Sequence, residues 1–317
     1  MAEVGQSKLS FAVVGTGALG GYYGFRLVRA GYPVHFLCRS DGAYIRQHGL
    51  TVTSGGERVT RQVMAYDRSA DMPQVEVVLV CLKTTENHRL RELLPPMLKP
   101  SSLVVMLQNG LEEEAKAAAV VGADRVIGGL CFLCANKVGP GHVVHLDYGR
   151  IVLGQYTPEG RPGGVTPGMK QLASAFVAAG IQATGTDCLR LARWEKLVWN
   201  IPYNGLSVLL GAETDVLMAC APVRHQIEVI MEEVRSLAAA DGHHIPETFP
   251  ARMLMDTERM KPYKTSMMLD YERGNPMEIS ALYRDPLAAG LRGGAAAPCI
   301  AQIEAMLSLL DQRNRKR

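Results

Sequence analysis

Residues suited to proton transfer and substrate binding recur at helical spacing in the second half of the chain. Lys196, Asn200 and Asn204 lie four residues apart. In a helix these three side chains share one narrow face, which Arg193 and Ser207 flank. The segment is otherwise mostly leucine, valine, isoleucine, tryptophan and tyrosine, which is typical of a buried helix. Because buried amines and amides need polar partners, we expect this face to border a wet cavity or a polar ligand.

A lysine on such a face can act as a general acid, since burial makes it easier for an ammonium group to give up its proton. The asparagines can bind a carboxylate or hydroxyl group without adding charge. Pro202, inside the same segment, has no N–H for the carbonyl of Val198 and is expected to bend the helix. The alternative is a solvated stripe on a surface helix, although such stripes usually contain more charged residues than asparagines.

A glycine-rich turn, Gly15-Thr16-Gly17-Ala18-Leu19-Gly20, follows the first predicted strand and opens the first predicted helix. In this context G-x-G-x-x-G is the fingerprint of a dinucleotide-binding fold. Gly15 allows the tight turn, Gly17 the approach of a pyrophosphate, and Gly20 the close packing of helix on strand. The free N–H groups at the start of the helix would bind the phosphates. The alternative is a glycine-rich turn that binds no ligand.

The end of the second predicted strand bears on the choice of cofactor. An acidic residue there would accept a hydrogen bond from the ribose 2′-hydroxyl of NAD. Here the strand runs into Arg39 and Ser40, and a guanidinium with a hydroxyl suits a 2′-phosphate. We therefore predict NADP(H), while Asp41, two residues further on, keeps NAD as the minority alternative.

Two polar residues follow the next strands. Lys83 comes just after one strand, and Asn109, in Gln108-Asn109-Gly110, just after the next. Ligands bind at the carboxyl ends of strands in open α/β sheets, so we expect both side chains at the site. Taken alone, each could be a helix cap or a turn residue.

The elements that must position these residues divide the chain in two. Apolar strands alternating with helical segments predict a Rossmann-type, doubly wound α/β domain over residues 1–187. The predicted strands are Leu9–Val14, Val34–Cys38, Val75–Cys81 and Leu103–Leu107, and then three shorter ones at Val126–Phe132, Gly141–Leu146 and Arg150–Leu153. Pro158–Gly164 is predicted as a loop. Residues 188–317 are predicted to form an all-helical substrate-binding and catalytic domain, with helices at Leu189–Leu210, Ala221–Asp241 and Ile300–Leu310.

Composition excludes several classes of protein. The chain has 317 residues, 47% of them hydrophobic, and a net charge of +3, which argues against disorder and against nucleic-acid binding. No apolar run approaches the roughly 20 residues of a membrane span. Met1–Lys8 does not resemble a secretory signal, and Arg313–Arg317 is predicted to be a frayed tail.

The seven cysteines are an odd number scattered along the chain, as expected of reduced thiols in the cytoplasm. Cys131 and Cys134 form a C-x-x-C without a second pair at zinc spacing. We interpret them as packing residues, assign His243-His244 to a loop, and predict no metal.

At the level of whole motifs, the chain resembles the ketopantoate reductase family (2-dehydropantoate 2-reductases) from about Leu9 to Leu310. The resemblance is carried by the Gly15–Gly20 turn, Cys81-Leu82-Lys83, Gln108-Asn109-Gly110, the Lys196/Asn200/Asn204 spacing, and Lys264–Asp270 followed by Pro276-Met277-Glu278.

The resemblance implies NADPH-dependent reduction of the 2-oxo group of ketopantoate to pantoate, a step toward coenzyme A, in a cleft between a Rossmann-type and a helical domain. It implies Lys196 as the general acid, Asn200 and Asn204 as substrate ligands, and Ser266 as the ligand of the substrate carboxylate. Glu278 would reach the reacting region and the cofactor, Asn109 both cofactor and substrate, and Lys83 the nicotinamide. Ala135 would make a backbone contact with the cofactor. Independently of the family, Ser266 could be a helix N-cap and Glu278 a surface residue.

One position departs from the family pattern. Some members have a third asparagine about ten residues after the second, where this chain has Thr214. The alternatives are therefore reduction of another branched or aromatic 2-oxo acid on the same scaffold, a non-catalytic NADP-binding sensor, or the related β-hydroxyacid dehydrogenases, which the Ser266/Glu278 block fits poorly. The expected partner is a small 2-oxo acid, with no nucleic acid and no membrane, and a homodimer is compatible with the apolar helical domain.

Overall fold

The computed structural model describes residues 8–315, which fall into two compact units. The first unit consists of the chain up to Gln108 together with Glu113–Leu189. The second unit consists of Arg190 onward together with the short segment Asn109–Glu112. The predictions about a leader at the N-terminus and about Lys316 and Arg317 lie outside the described residues. The fold class is as predicted, an α/β unit with a Rossmann-type sheet and a helical one.

The first unit is built on a ten-stranded sheet in the order β4-β3-β9-β8-β7-β6-β1-β2-β5, with β10 paired to β9. Its strands are β1 Phe11–Val14, β2 Val34–Leu37, β3 Leu50–Ser54, β4 Glu57–Arg61, β5 Met64–Tyr66, β6 Val75–Val80, β7 Leu98–Met106, β8 Val126–Gly139, β9 His142–Gln155 and β10 Ala183–Thr186. The run from β7 through β6, β1 and β2 to β5 is parallel. Its helices are α1 Ala18–Arg29, α2 Gly42–His48, α3 Leu90–Leu93, α4 Glu113–Val121 and α5 Pro167–Ala178.

Strand β1, in the parallel part of the sheet, is apolar along its whole length because both faces of the sheet are covered. In β1, Phe11 and Val13 belong to one hydrophobic cluster, and Ala12 and Val14 belong to another. All four side chains are fully buried. This is the reason that a continuous apolar run, rather than an alternating one, identifies a central parallel strand.

The prediction of three short strands between residues 126 and 153 was wrong. The structure has two strands of 14 residues each, β8 and β9, which pair antiparallel with several shifts of register. Tyr148 and Gly149 have positive φ angles within β9, so the chain kinks there without leaving the sheet. Residues that read as a turn in the sequence are therefore an irregularity inside one strand.

The second unit is helical, as expected. With α6, which begins one residue before it, its helices are α6 Leu189–Leu210, α7 Thr214–Ala219, α8 Ala221–Ala240, α9 Phe249–Glu258, α10 Ser266–Glu272, α11 Asp285–Arg292 and α12 Pro298–Asn314. A π-helical turn, Ser280–Arg284, directly precedes α11. Because α12 extends to Asn314, the predicted frayed tail is wrong for its first two residues.

The core of the second unit surrounds α6. Trp194, Ile201 and Tyr203 on this helix are fully buried, and α6 continues through Pro202 to Leu210. Among residues 8–315, no helix combines the length and apolar character that a membrane crossing requires. The same residues contain no cluster of three histidine, cysteine or acidic side chains arranged to hold a metal ion. All seven cysteines are free thiols.

Candidate active site

The polar face predicted on α6 is buried. Asn200 and Asn204 are 7% and 3% exposed, Arg193 is 2% exposed, and Ser207 is completely covered, while Lys196 is half-buried. The alternative of a solvated surface stripe is therefore wrong. These polar groups lie within the helical core, where each needs a hydrogen-bonding partner.

Lys196 and Asn109 come together in the second unit. The Nζ of Lys196 donates a hydrogen bond of 2.8 Å to the Oδ1 of Asn109. Asn109 follows strand β7 in the chain, but its segment belongs to the helical unit. Two motifs that lie 87 residues apart in the sequence thus form one polar pair.

Ser266 is the first residue of α10 and is partly exposed. The N-cap of this helix is Thr265, whose Oγ1 accepts a hydrogen bond of 3.2 Å from the Met268 N–H. The alternative that Ser266 is the cap is therefore wrong. Ser266 therefore lies in the first turn of α10, directly after the capping residue.

The polar face of α6 holds the start of α10. The Oδ1 of Asn204 accepts from the Met267 N–H at 3.3 Å, and the Ser207 hydroxyl lies 2.7 Å from that of Thr265. Asn204 also donates through Nδ2 to the carbonyl of Asn200 at 2.9 Å. These bonds fix the residues on either side of Ser266. Thr265 had no predicted role of its own, although a threonine before a helical segment is an ordinary capping signal.

Thr214 and Glu278 are both buried. Thr214 is 2% exposed and forms two hydrogen bonds with Tyr263: its N–H donates to the Tyr263 carbonyl at 3.3 Å, and its Oγ1 accepts from the Tyr263 N–H at 3.2 Å. It therefore supports the segment that leads to Ser266. Glu278 is 7% exposed, so the alternative of a surface helix residue is wrong. Next to it, the Met277 N–H donates to Asp311 at 2.9 Å.

In the first unit, the glycine-rich turn has the form that a dinucleotide requires. Gly15 has a φ of +100°, and a Cβ there would lie 3.0 Å from the backbone of Cys81 and Leu82. A Cβ on Gly20 would clash with the Gly15 carbonyl oxygen. A Cβ on Gly17 would meet no atom within 4 Å, and Gly17 caps α1 without a side-chain hydrogen bond. The turn is thus tightly packed at both ends and open in the middle, where a pyrophosphate would bind.

The other residues of the turn connect it to β2. The Thr16 hydroxyl lies 3.2 Å from both the Leu37 carbonyl oxygen and the Cys38 sulfur. Ala18 and Leu19, both half-buried, form the first turn of α1. This arrangement sets the glycine-rich turn beside the end of β2, where the sequence predicts discrimination between the cofactors.

Arg39 and Asp41 differ in environment. The Arg39 side chain is 78% exposed, and its guanidinium lies 3.8 Å from Glu86. Asp41 is 6% exposed, forms an ion pair of 2.6 Å with Lys137, and accepts from the Gly141 N–H at 3.0 Å. Both contacts are to Oδ2, so this oxygen of Asp41 is held by partners from β8 and the β8–β9 turn. Lys137 could not be predicted as a partner of Asp41, because only the long-range pairing of the sheet brings the two residues together.

Lys83 and Ala135 also lie in the first unit. Lys83 is exposed and directly precedes the 3₁₀ turn Thr84–Arg89, which follows β6. Ala135 is half-buried in the middle of β8, where it pairs with His145.

The side-chain amides of Gln108 and Asn87, for which the sequence predicted no role, join the segments that follow β6 and β7. The Nε2 of Gln108 donates to the Leu82 carbonyl at 2.9 Å and to the Oδ1 of Asn87 at 2.6 Å. The only signal for Gln108 was its place beside Asn109.

Comparison with known proteins identifies the family. The family model "Ketopantoate reductase PanE/ApbA" matches residues 11–158, and its C-terminal counterpart matches residues 189–311. The chain is 48% identical over 310 residues to a 2-dehydropantoate 2-reductase of Nostoc sp., covering 98% of this chain and 97% of the relative. A crystal structure of 2-dehydropantoate 2-reductase from Geobacter metallireducens matches with a TM-score of 0.90 at 41% identity, over 96% of this chain and 99% of that one.

A more distant structure shares the fold alone. The ternary structure of a D-mandelate dehydrogenase with NADH and anilino(oxo)acetate matches with a TM-score of 0.88 at 19% identity, over 96% of this chain and 99% of that one. At this level of identity the likeness carries no information about substrate. The two family models and the 48% identity do carry the assignment: this chain belongs to the ketopantoate reductase family.

Proposed function

We propose that the protein reduces 2-dehydropantoate to pantoate with NADPH, a step toward coenzyme A, and that Lys196 is the proton donor. The observation that carries the proposal is the hydrogen bond of 2.8 Å between the Lys196 ammonium and the Asn109 amide oxygen on a buried polar face. The 48% identity to a 2-dehydropantoate 2-reductase supports the choice of substrate.

The residues of the second unit suit the polar end of a 2-oxo acid. As negative charge develops on the 2-oxo oxygen, the Lys196 ammonium would stabilise it and then deliver the proton. Asn109 would orient the ammonium through its amide oxygen. Asn200 would bind the substrate's oxygens, and Asn204 would do so through the second N–H of its Nδ2, since its Oδ1 and one N–H already hold Met267 and Asn200. The Ser266 hydroxyl would bind the substrate's carboxylate. Glu278, buried in the same unit, would complete the catalytic set.

The residues of the first unit suit a dinucleotide. The backbone of Gly15–Gly20 would bind the pyrophosphate, Lys83 would lie near the nicotinamide, and the Ala135 backbone would contact the cofactor. When bound, the cofactor supplies the hydride that reduces the 2-oxo carbon. We favour NADPH because Arg39 is exposed at the end of β2, whereas Asp41 is engaged with Lys137.

A second candidate is the reduction of another branched or aromatic 2-oxo acid by the same residues. The observation that favours it is Thr214, which stands where some relatives have an asparagine. Both its N–H and its hydroxyl are engaged with Tyr263, so it would not supply the substrate contact that an asparagine there could make.

Lys196→Met tests the catalytic part of the proposal, with Lys170→Met, an exposed lysine on α5, as the control. We expect kcat to fall by roughly 10²–10⁴-fold, because a general acid is lost. NADPH affinity, measured by fluorescence titration, should stay unchanged in both variants. Full activity of Lys196→Met would refute Lys196 as the proton donor. A wild-type protein that binds NADPH but reduces no 2-oxo acid would favour the sensor alternative.

A further inference from the structure

The segment Asn109–Glu112 is bound to the helical unit at each of its residues. Asn109 accepts a hydrogen bond from Lys196. Leu111 is 1% exposed and packs in the hydrophobic core of the second unit. Its N–H donates to the Ala281 carbonyl at 3.1 Å. The position of the Asn109 amide is therefore set by contacts on the following three residues.

The π-helical turn Ser280–Arg284 provides the acceptor for this segment. In a π-helix each carbonyl accepts from the N–H five residues later, and for Ala281 that residue is Pro286, which has no N–H. The Leu111 N–H takes this place. Gly110, with φ of +100°, packs so closely that a Cβ would lie 2.5 Å from the Ala281 Cβ and 2.6 Å from its oxygen. Only glycine fits there.

Glu112 ends the segment in a strained backbone conformation. Its φ of +69° lies in the left-handed region, which is unfavourable for a residue with a side chain. In this conformation its Oε1 forms an ion pair of 2.9 Å with Arg190 at the start of α6. Strain of this kind persists only where surrounding contacts enforce it.

Arg190 is in turn anchored by Asp241, directly after α8. Its Nε and Nη2 donate to the two carboxylate oxygens at 2.6 and 2.9 Å, and Trp194 donates to the same carboxylate at 2.8 Å. Burial opposes both charges. Even so, the hydrogen bonds with Asp241 and the charge of Glu112 raise the pKa of Arg190, and Arg190 and Trp194 lower the pKa of Asp241. Both groups are thus held in their charged forms.

We propose that Glu112 and Arg190 are positioning residues. Their ion pair, anchored on Asp241, holds the segment so that the Asn109 amide oxygen stays against the Lys196 ammonium. The catalytic consequence rests on the proposed function of Lys196. The structural consequence, a fixed Asn109–Glu112 segment, does not.

Glu112→Gln is the main test, because it removes the charge and leaves the Arg190–Asp241 pair intact. We expect kcat to fall by about ten- to a hundredfold, as for misplaced catalytic groups, with KM for NADPH unchanged. Glu112→Gly should lower kcat similarly while relieving the backbone strain, which separates positioning from stability. Arg235→Gln is the control, since the Arg235 side chain is as little exposed as that of Arg190 (16% against 17%). Arg235 contacts the Ile245 carbonyl and pairs with Glu232, and neither belongs to the Asn109–Glu112 segment.

A double-mutant cycle decides whether the effect passes through Asn109. In an Asn109→Ala background, Glu112→Gln should cause no further loss of kcat. An equal loss in both backgrounds would overturn the proposal.

Amide hydrogen exchange, measured on the peptide that covers residues 109–112, tests whether the segment is fixed and does not depend on enzyme activity. It should become faster in Glu112→Gln and remain unchanged in Arg235→Gln. Unchanged exchange in Glu112→Gln would overturn the proposal even in an active enzyme. A wild-type protein without reductase activity would refute the proposed function, while the exchange result would still decide whether Glu112 positions the segment.

Discussion

At the scale of single residues, the buried ion pair of Asp41 and Lys137 bears on the choice of cofactor. An acidic residue near the end of β2 would ordinarily favour NAD, since it can accept a hydrogen bond from the ribose. In this chain the Oδ2 of that carboxylate is held by Lys137 and the Gly141 N–H. If the cofactor is NADPH, as we propose, Arg39, which is mostly exposed, would meet its 2′-phosphate.

Arg39→Gln should therefore weaken the binding of NADPH and leave the binding of NADH unchanged. Because hydrogen bonds to charged groups contribute about 1.5–3 kcal/mol, we expect the Kd for NADPH to rise by roughly ten- to a hundredfold. The Kd for NADH should not change. Titration of both cofactors against the variant and against Arg91→Gln, an exposed arginine on α3, checks this. Equal weakening of both cofactors would refute a 2′-phosphate contact.

At the scale of elements, two helices with similar caps separate stability from function. Thr265 caps α10 beside Ser266, and Thr166 caps α5 in the first unit, each through its side-chain oxygen. Replacement of either threonine by alanine should cost about 1 kcal/mol of stability, measured by denaturant unfolding. Thr265 also lies 2.7 Å from the Ser207 hydroxyl, so its loss should loosen the start of α10.

We therefore expect Thr265→Ala, and not Thr166→Ala, to raise KM for the 2-oxo acid. Thr166→Ala should lose similar stability without this rise in KM, because only Thr265 directly precedes Ser266. An unchanged KM in Thr265→Ala would show that the capping bonds do not position Ser266.

Strand β6 carries a carboxylate whose titration should be visible in acid unfolding. Glu76 accepts from the Ser10 N–H at 2.8 Å and pairs with Lys99. Burial alone would raise its pKa, but the hydrogen bonds of Lys99 and Ser10 outweigh burial and lower the pKa to about 2, from 4.5. Because the folded-state pKa is the lower one, Glu76 stabilises the fold above about pH 4.5, and this contribution is lost as the pH falls toward 2.

Unfolding by denaturant at a series of pH values tests this assignment. In Glu76→Gln the loss of stability between these pH values should be smaller than in the wild type. In Glu92→Gln, which alters an exposed residue on α3, it should be the same as in the wild type. The effect should be modest, since the Glu76 side chain is 36% exposed and solvent screens its charges.

At the scale of the whole molecule, the elements that could be predicted from the sequence are those whose burial pattern is visible within one segment. The apolar run at β6 and the four-residue spacing on α6 reflect burial that neighbouring residues share, so both elements could be found from the sequence. The β8–β9 ladder could not, because a kink at Tyr148 and Gly149 looks like a turn until the two strands are paired.

The candidate site divides in the same way. Lys196, Asn109 and Ser266 could be selected by motif, but the ion pair of Lys137 with Asp41 and that of Arg190 with Glu112 join distant parts of the chain. No spacing rule connects residue 112 with residue 190. Such long-range pairs are visible only once the chain is folded; the first lies within the sheet unit and the second within the helical unit.

The most direct test of the account is the steady-state oxidation of NADPH by the wild-type protein with a panel of 2-oxo acids. 2-Dehydropantoate should be compared with pyruvate, 2-oxoisovalerate, 2-oxoisocaproate, phenylpyruvate and benzoylformate. We predict that kcat/KM for 2-dehydropantoate leads by about a hundredfold, or roughly 2.7 kcal/mol of discrimination in the transition state. A higher kcat/KM for any other acid would contradict the proposed substrate, and no oxidation with any of them would contradict the proposed reaction.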